Sequence, residues 1–209
     1  SDETDSDVGD RSNDAVRIQA SSLRARCVGE GGNLGLTQKA RIEYALNGGL
    51  IYTDSIDNSA GVDCSDHEVN IKVLLAMAVA NGSLTIRKRN ELLKQMEDEV
   101  GQLVLRNNYE QTGAIMYMLS LGSDYLGLTI RMMREMEREG HLKRDIEYLP
   151  SNKQLKVRAT NGQGLTMPEV SVLMAYSKTV IKKELLASQL PDQDYCIRYL
   201  HGEFPQILI

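Results

Sequence analysis

The chain has 209 residues, 42% of them hydrophobic and 25% charged, which is the composition of a globular protein with a sizeable core. A net charge of −5 gives it no general attraction for nucleic acid, and no apolar run approaches the ~20 residues that cross a bilayer. The cysteines Cys27, Cys64 and Cys196 are few and odd in number. They argue against a disulfide framework or a zinc ribbon and indicate a reducing cytoplasm.

The first third of the chain predicts an α/β arrangement. Residues 1–7 are polar and acidic, and we expect them to be disordered. Residues 23–28 predict a strand, residues 29–35 a glycine-rich loop, residues 37–46 a helix and residues 50–53 a second strand. This order is typical of a parallel sheet. The predicted fold class is therefore α/β, with a partial Rossmann-like, parallel-sheet segment followed by a mostly α-helical region.

Helical patterns dominate the rest of the chain. Apolar residues such as Val69 and Val73 recur at helical spacing until Gly82 breaks the pattern. Thr85 is expected to cap a helix that runs to about residue 108. A further helix is expected over residues 111–139, with an interruption near Gly122 and an end at Gly140. Residues 141–165, which include Pro150, are expected to be a connecting region. A capping box, in which Thr166 and Glu169 bond each other's backbone, predicts one more helix start.

The glycine-rich loop, residues 29–35 (GEGGNLG), admits several interpretations. It follows a predicted strand and opens a predicted helix, as a phosphate-binding loop does, and Asp54 would be placed to hold a ribose. Glu30 opposes this interpretation, because its carboxylate would repel a pyrophosphate. A tight structural turn and a role in lining a different ligand are the alternatives.

A second polar cluster, residues 57–68, follows the second predicted strand. If the strands are parallel, this cluster and the loop lie at the same sheet edge and are neighbours. Cys64 and His67 are spaced for a metal site, but no further His or Cys pair completes it. Ser65 and Glu68 form a capping box for a helix beginning near Ser65. A Ser–His–Asp nucleophile is disfavoured, because Ser65 and His67 would point to different helix faces.

Four segments resemble the large NAD-specific glutamate dehydrogenases of bacteria. They are residues 9–17 (GDRSNDAVR), 30–38 (EGGNLGLTQ), 57–72 (DNSAGVDCSDHEVNIK) and 164–178 (GLTMPEVSVLMAYSK). The resemblance implies a fragment that comprises the C-terminal portion of the dinucleotide-binding domain in residues 1–67 and a helical C-terminal region in residues 68–209.

The resemblance also implies roles for individual residues. Asn33, Gly31 and Gly32 would line the nicotinamide end of NAD, and Asn58 would contact both cofactor and substrate. Ser65 would bind the side-chain carboxylate of glutamate, with Val62 as an apolar wall. The loops depart from the smaller hexameric enzymes at Gly35, where those have proline, and at residues 59–60.

The function implied for the full-length protein is oxidative deamination of L-glutamate to 2-oxoglutarate by a cytoplasmic homo-oligomer. The catalytic Lys and Asp and the phosphate loop would lie outside this chain, so we expect no catalytic residue, no bound metal and no activity from the chain alone. Two alternatives stay open. One is a self-contained nucleotide-binding module that uses residues 29–35, and the other is a helical interaction module built from residues 85–139.

Overall fold

A computed structural model describes residues 3–32 and 35–209, and these residues are mostly helical. The α-helices are α1 (Asp5–Val8), α2 (Gln38–Leu46), α3 (Asp54–Asp57), α4 (Ser59–Ala80), α5 (Ile86–Gln95), α6 (Glu97–Ser120), α7 (Leu126–Arg138), α8 (Asn152–Thr160), α9 (Met167–Leu186) and α10 (Ile197–Gly202). Short 3₁₀ turns occupy Arg11–Val16, Ala20–Ser22, Gly122–Tyr125, Asp194–Cys196 and Gln206–Leu208. None of the described helices is long and apolar enough to cross a membrane.

The chain forms two compact units. The first unit comprises Ser1–Asn58 and Thr112–Lys183, and the second comprises Ser59–Gln111 and Glu184–Ile209. The division falls directly before α4 and within α6 and α9. The boundary predicted after residue 67 concerns domains of the full-length protein, and it stays a prediction.

The predicted parallel sheet is absent from the part of the chain that the structure describes, so the Rossmann-like fold class is wrong. The segments predicted as strands meet at a single parallel bridge between Cys27 and Leu50. The Leu50 amide donates to the Arg26 carbonyl at 3.0 Å, and the Val28 amide donates to the Leu50 carbonyl at 2.9 Å. Two such hydrogen bonds make one bridge, which is too short for a strand.

Side chains interrupt the ladder where it would continue. In a parallel ladder, the Tyr52 amide would next donate to the Val28 carbonyl, and the Glu30 amide would then donate to the Tyr52 carbonyl. Instead the Glu30 amide donates to Asp57 Oδ2 at 3.1 Å, and the Tyr52 carbonyl accepts from Arg41 Nη1 at 2.9 Å. On the other side of the bridge, the Tyr44 hydroxyl donates to the Ala25 carbonyl. Helix α2 therefore satisfies backbone groups that a neighbouring strand would otherwise satisfy.

Several predicted helix ends are confirmed by their caps. Thr37 caps α2, with its hydroxyl accepting from the Ala40 amide at 3.2 Å. Thr85 caps α5 by accepting from the Lys88 amide at 3.2 Å. Gly82 and Gly140, which follow helix ends, take positive φ values of 79° and 76° as C-terminal glycines do.

Other predicted helix bounds are wrong. Helix α4 begins at Ser59, so Ser65 lies inside a helix and does not cap one. The helix capped by Thr85 ends at Gln95, and a new helix begins at Glu97. Helix α8 lies in a region expected to be a connection, although Ser151 and Gln154 form a complete capping box there.

Each unit has its own core. In the first unit, the largest cluster packs α7, α8 and α9 together through Leu126, Met133, Met136, Leu142, Leu149, Leu155, Val172 and Leu173. A smaller cluster, which includes Leu36, Ala40, Tyr44 and Ile51, holds α2 against the bridged segments. In the second unit, Ile71 and Leu75 of α4 pack with Met96, Phe204 and Leu208. These cores position the glycine-rich loop and α4, which carry the predicted site residues.

Candidate functional site

The glycine-rich loop is closed by its own glutamate. Glu30 Oε1 accepts from the Gly35 amide at 2.7 Å, and Oε2 accepts from the Leu36 amide at 3.3 Å. A phosphate-binding loop needs its amides free for the ligand. Here a resident carboxylate occupies these two amides, so the geometry does not support the self-contained nucleotide-binding module.

Arg41 joins this loop to the segment before Asn58. Its side chain is only 1% exposed. Nη2 donates to the Glu30 carbonyl at 2.8 Å and to Glu30 Oε2 at 2.9 Å, while Nη1 donates to the Tyr52 carbonyl at 2.9 Å and to Asp57 Oδ2 at 3.2 Å. One guanidinium therefore bonds two backbone carbonyls, of Glu30 and Tyr52, and two carboxylates, of Glu30 and Asp57.

Asp57 completes the network. Burial raises the pKa of the Asp57 carboxyl above its ordinary value, and the hydrogen bond from the Glu30 amide and the charge of Arg41 lower it in part. Burial is the largest of these effects, because the side chain is 8% exposed. The two partners therefore offset part of the cost of burying this carboxylate.

Gly31 lies directly against Asn58. A Cβ built on Gly31 would be 2.6 Å from Asn58 Cβ, closer than side chains normally approach. Gly32 and Asn58 are both exposed, so the loop backbone and the Asn58 carboxamide are open to a ligand. Asn33, the remaining residue predicted to contact cofactor, lies outside the described residues.

Two of the three residues predicted to bind substrate occur in the second unit, on helix α4, whereas Asn58 belongs to the first unit. Val62 is 63% exposed, and Ser65 is also exposed. Residues three apart on a helix are neighbours on its surface, so the two side chains form one small patch. Val62 and Ile71 lie on opposite faces of α4, because nine residues at 100° each bring the helix through two and a half turns. Ile71 is buried in the core of this unit.

His67 and Asp63 serve the packing of the second unit. His67 Nδ1 donates to the Glu203 carbonyl at 2.9 Å, and Nε2 accepts from Asn107 Nδ2 at 3.2 Å. Asn107 Nδ2 also donates to Asp63 Oδ2 at 3.1 Å. Within residues 3–32 and 35–209, no group of three or more His, Cys, Asp or Glu side chains is arranged to hold a metal ion.

An apolar groove of about 570 Å³ also lies in the second unit. Its lining includes Cys64, Ile71, Lys72, Leu93, Met96 and Val100. Neither Val62 nor Ser65 lines it, so this groove is separate from the predicted substrate patch.

Comparison with known proteins decides the family. A profile described as the catalytic domain of bacterial NAD-glutamate dehydrogenase matches residues 1–118, which is more than half of the chain. A second profile, described as the C-terminal part of glutamate dehydrogenase, matches residues 162–209. The chain belongs to the bacterial NAD-glutamate dehydrogenase family.

Individual relatives agree with this assignment. The chain is 48% identical over 208 residues to an NAD-specific glutamate dehydrogenase of Halomonas elongata and 50% identical over 206 residues to one of Pseudomonas aeruginosa. It is 46% identical over 206 residues to one of Mycobacterium tuberculosis. These matches cover 99% or more of the chain but only 13% of each relative, so the chain corresponds to a fragment of such an enzyme.

Sequence reasoning missed Arg41, although Arg41 joins two of the four segments that resemble this family, residues 30–38 and 57–72. The signal was present but weak. Arg41 stands between Ala40 and Ile42 on the face of α2 that becomes buried, where an arginine is unusual unless it is paired. Its acceptors are backbone carbonyls and two distant carboxylates, which the spacing along the chain does not indicate.

Proposed function

We propose that the full-length protein oxidises L-glutamate with NAD and water, giving 2-oxoglutarate, ammonium, NADH and a proton. This chain supplies part of the wall against which cofactor and substrate are held. The observation that carries the proposal is the packing of Gly31 against Asn58, in a loop whose Gly35 and Leu36 amides are already bonded to Glu30. That loop is suited to support a flat ring and not to anchor a phosphate.

The residues present fit the nicotinamide end of NAD. When bound, NAD accepts a hydride from the substrate carbon. Gly31 and Gly32 have no side chains, so a flat ring can approach the loop backbone closely. The exposed Asn58 carboxamide has both a donor and an acceptor for the amide of nicotinamide. The resemblance to the family adds Asn33 to this group.

The patch on α4 fits the side chain of glutamate. The Ser65 hydroxyl can donate a hydrogen bond to the distal carboxylate, and Val62 can pack against the methylene groups. Ser65→Ala in the full-length protein removes one hydrogen bond to a charged group, which is worth about 1.5–3 kcal/mol. We therefore expect kcat/KM for glutamate to fall roughly 10- to 150-fold.

Steady-state kinetics of the full-length protein test this role. Ser188→Ala is the matched control, because Ser188 is exposed and its hydroxyl bonds only nearby backbone among the described contacts, donating to the Leu185 carbonyl at 2.8 Å and accepting from the Leu190 amide at 3.1 Å. The proposal fails if Ser65→Ala and Ser188→Ala have the same kcat/KM for glutamate. The proposed activity itself is contradicted if the full-length protein reduces no NAD with glutamate.

The catalytic Lys and Asp and the phosphate loop are proposed to come from the rest of the full-length enzyme, and residues 1–67 are proposed to end its dinucleotide-binding domain. This chain would then contribute binding and orientation without a general base. We also propose that the enzyme is a cytoplasmic homo-oligomer, as the cysteine usage and the family resemblance lead us to expect.

A second candidate role is a helical interaction surface, and exposed apolar residues on α4 favour it. Val62, Val69, Val73 and Met77 are 63%, 54%, 55% and 64% exposed. Their spacing puts them on one face, and a contiguous apolar stripe of this kind marks a contact surface. Concentration-dependent association of the chain in light scattering, abolished by Val73→Lys, would support this role. A chain that stays monomeric at all concentrations would contradict it.

A further inference from the structure

Arg41 connects the glycine-rich loop to the segment that contains Asn58. Its guanidinium donates to the backbone carbonyl and carboxylate of Glu30, the residue before Gly31, and to the carboxylate of Asp57, the residue before Asn58. Gly31 and Asn58 therefore each directly follow a residue that is hydrogen-bonded to Arg41. None of the four hydrogen bonds faces solvent, since the Arg41 side chain is 1% exposed.

We propose that Arg41 is a positioning residue for NAD. By fixing Glu30 and Asp57 at one spacing, it keeps the Gly31 backbone and the Asn58 carboxamide in the arrangement that receives the nicotinamide ring. The inference rests on the proposed function and assigns a role to a residue outside the segments that carry the family resemblance.

The geometry requires a guanidinium at this position. The four acceptors divide between Nη1 and Nη2, two for each nitrogen, and the planar fork of arginine reaches both pairs at once. A lysine ammonium has three donors on a single nitrogen and cannot cover both pairs. The network is thus specific for arginine as well as for positive charge.

Charge adds to the geometric argument. Glu30 and Asp57 bring two carboxylates to one guanidinium, with side chains 23% and 8% exposed. Without Arg41, the two carboxylates would face each other in a poorly hydrated space and would repel. The expected response is separation of the loop from the Asn58 segment, which disrupts the contact between Gly31 and Asn58.

The same unit provides a matched control. Arg158 is also largely buried, at 16% side-chain exposure, and its Nη1 donates to the fully buried Glu169 at 2.7 Å. Among the described contacts, Arg158 bonds no residue of the predicted site. A substitution there removes a buried ion pair without touching the loop or Asn58.

The experiment compares Arg41→Met, Arg41→Lys and Arg158→Met in the full-length enzyme. NADH dissociation constants come from fluorescence titration, and KM values for NAD and for glutamate come from steady-state kinetics. Misplacement of a binding wall by about 1 Å can cost up to roughly 100-fold. We expect both Arg41 variants to raise the NADH dissociation constant and the KM for NAD roughly 10- to 100-fold, with a smaller change in the KM for glutamate.

Arg158→Met is expected to lower Tm while leaving NADH affinity close to that of the unsubstituted enzyme. The proposal is overturned if Arg41→Lys restores NADH affinity, or if Arg41→Met and Arg158→Met bind NADH equally well. Should Arg41→Met fail to fold, Arg41→Lys and Asp57→Asn carry the same comparison.

Asn58→Ala in the same titration separates this inference from the proposed function. If Asn58→Ala weakens NADH binding and the Arg41 variants do not, only the role of Arg41 is lost. If Asn58→Ala binds NADH normally, the assignment of this wall to the cofactor is lost.

Discussion

A methyl group on Gly31 would place its carbon 2.6 Å from Asn58 Cβ. Such a separation is not tolerated, and the nearest atoms belong to the side chain and backbone of Asn58, so the loop or Asn58 has to move. Gly31→Ala is therefore expected to weaken NADH binding in the full-length enzyme by roughly 10- to 100-fold.

Gly29→Ala controls for the loss of a glycine in the same loop. A Cβ on Gly29 would meet nothing within 4 Å, so this substitution should leave NADH affinity near its original value. Equal affinities for Gly31→Ala and Gly29→Ala in fluorescence titration would show that the contact with Asn58 does not matter for the cofactor.

The buried Glu169 is expected to stabilise the first unit. Its Oε2 accepts from the Thr166 amide at 2.7 Å, from the Thr166 hydroxyl at 2.8 Å and from Arg158 Nη1 at 2.7 Å. Glu169→Ala leaves Arg158 largely buried without this partner, which typically costs about 3–5 kcal/mol. Denaturant unfolding should give a much lower free energy of unfolding.

The comparison for Glu169 is Glu135, whose carboxylate pairs with Arg138 on the surface of α7. Exposed pairs of this kind contribute about 0.2–1 kcal/mol, so Glu135→Ala should have a small effect. If Glu169→Ala and Glu135→Ala lowered the free energy of unfolding by similar amounts, burial would not explain the contribution of Glu169.

Tyr176 provides a pH-dependent contribution to stability. Its hydroxyl donates to Glu147 Oε1 at 2.6 Å, and this hydrogen bond, with burial and the Glu147 charge, raises the pKa of Tyr176 to about 12. Because the folded pKa lies above the ordinary value of about 10, the folded state keeps the proton longer. The contribution is present below about pH 10 and is lost as pH rises through about 12.

Tyr176→Phe should therefore flatten the fall of Tm with pH above about 10, and it should lower Tm at neutral pH by removing one hydrogen bond. Tyr199→Phe is the control, because Tyr199 is 63% exposed. Identical alkaline Tm profiles for the two variants would rule out this role for Tyr176.

The sequence predicts helices well where local chemistry determines them. The cap Thr85 and the glycines Gly82 and Gly140 act through neighbours in the chain, and each lies where its pattern predicts. Thr37, the first residue of a predicted helix, is the residue that caps it. The capping box of Ser151 and Gln154 also indicates the start of α8, but the surrounding polar residues and Pro150 favour a connecting region.

The sheet was predicted wrongly for a non-local reason. The sequences of residues 23–28 and 50–53 predict extended backbone, and the two segments do meet in parallel at Cys27 and Leu50. Beyond the bridge, Arg41 donates to the Tyr52 carbonyl and Asp57 accepts from the Glu30 amide, so these two backbone groups do not pair with each other. Neither pairing has a signature in residue spacing.

The candidate site is predicted by resemblance to the family and not by pattern, and it stays a prediction. The glycine spacing admits a phosphate loop that Glu30 opposes, and only the fold shows the Glu30 carboxylate bonding the Gly35 and Leu36 amides. The helical start predicted at Ser65 was wrong because Ser59 already begins α4. The assignments of Asn58 and Ser65 remain predictions that come from the family.

The most direct test of the central claim is the kinetic effect of Asn58→Ala in the full-length enzyme with glutamate and NAD, with Ser188→Ala as control. We expect kcat/KM for NAD to fall roughly 10- to 150-fold in Asn58→Ala, because a hydrogen bond to the cofactor at the reacting end is lost. We expect no change in Ser188→Ala. An Asn58→Ala enzyme with unaltered kcat/KM for NAD would contradict the claim that this chain lines the cofactor's nicotinamide end.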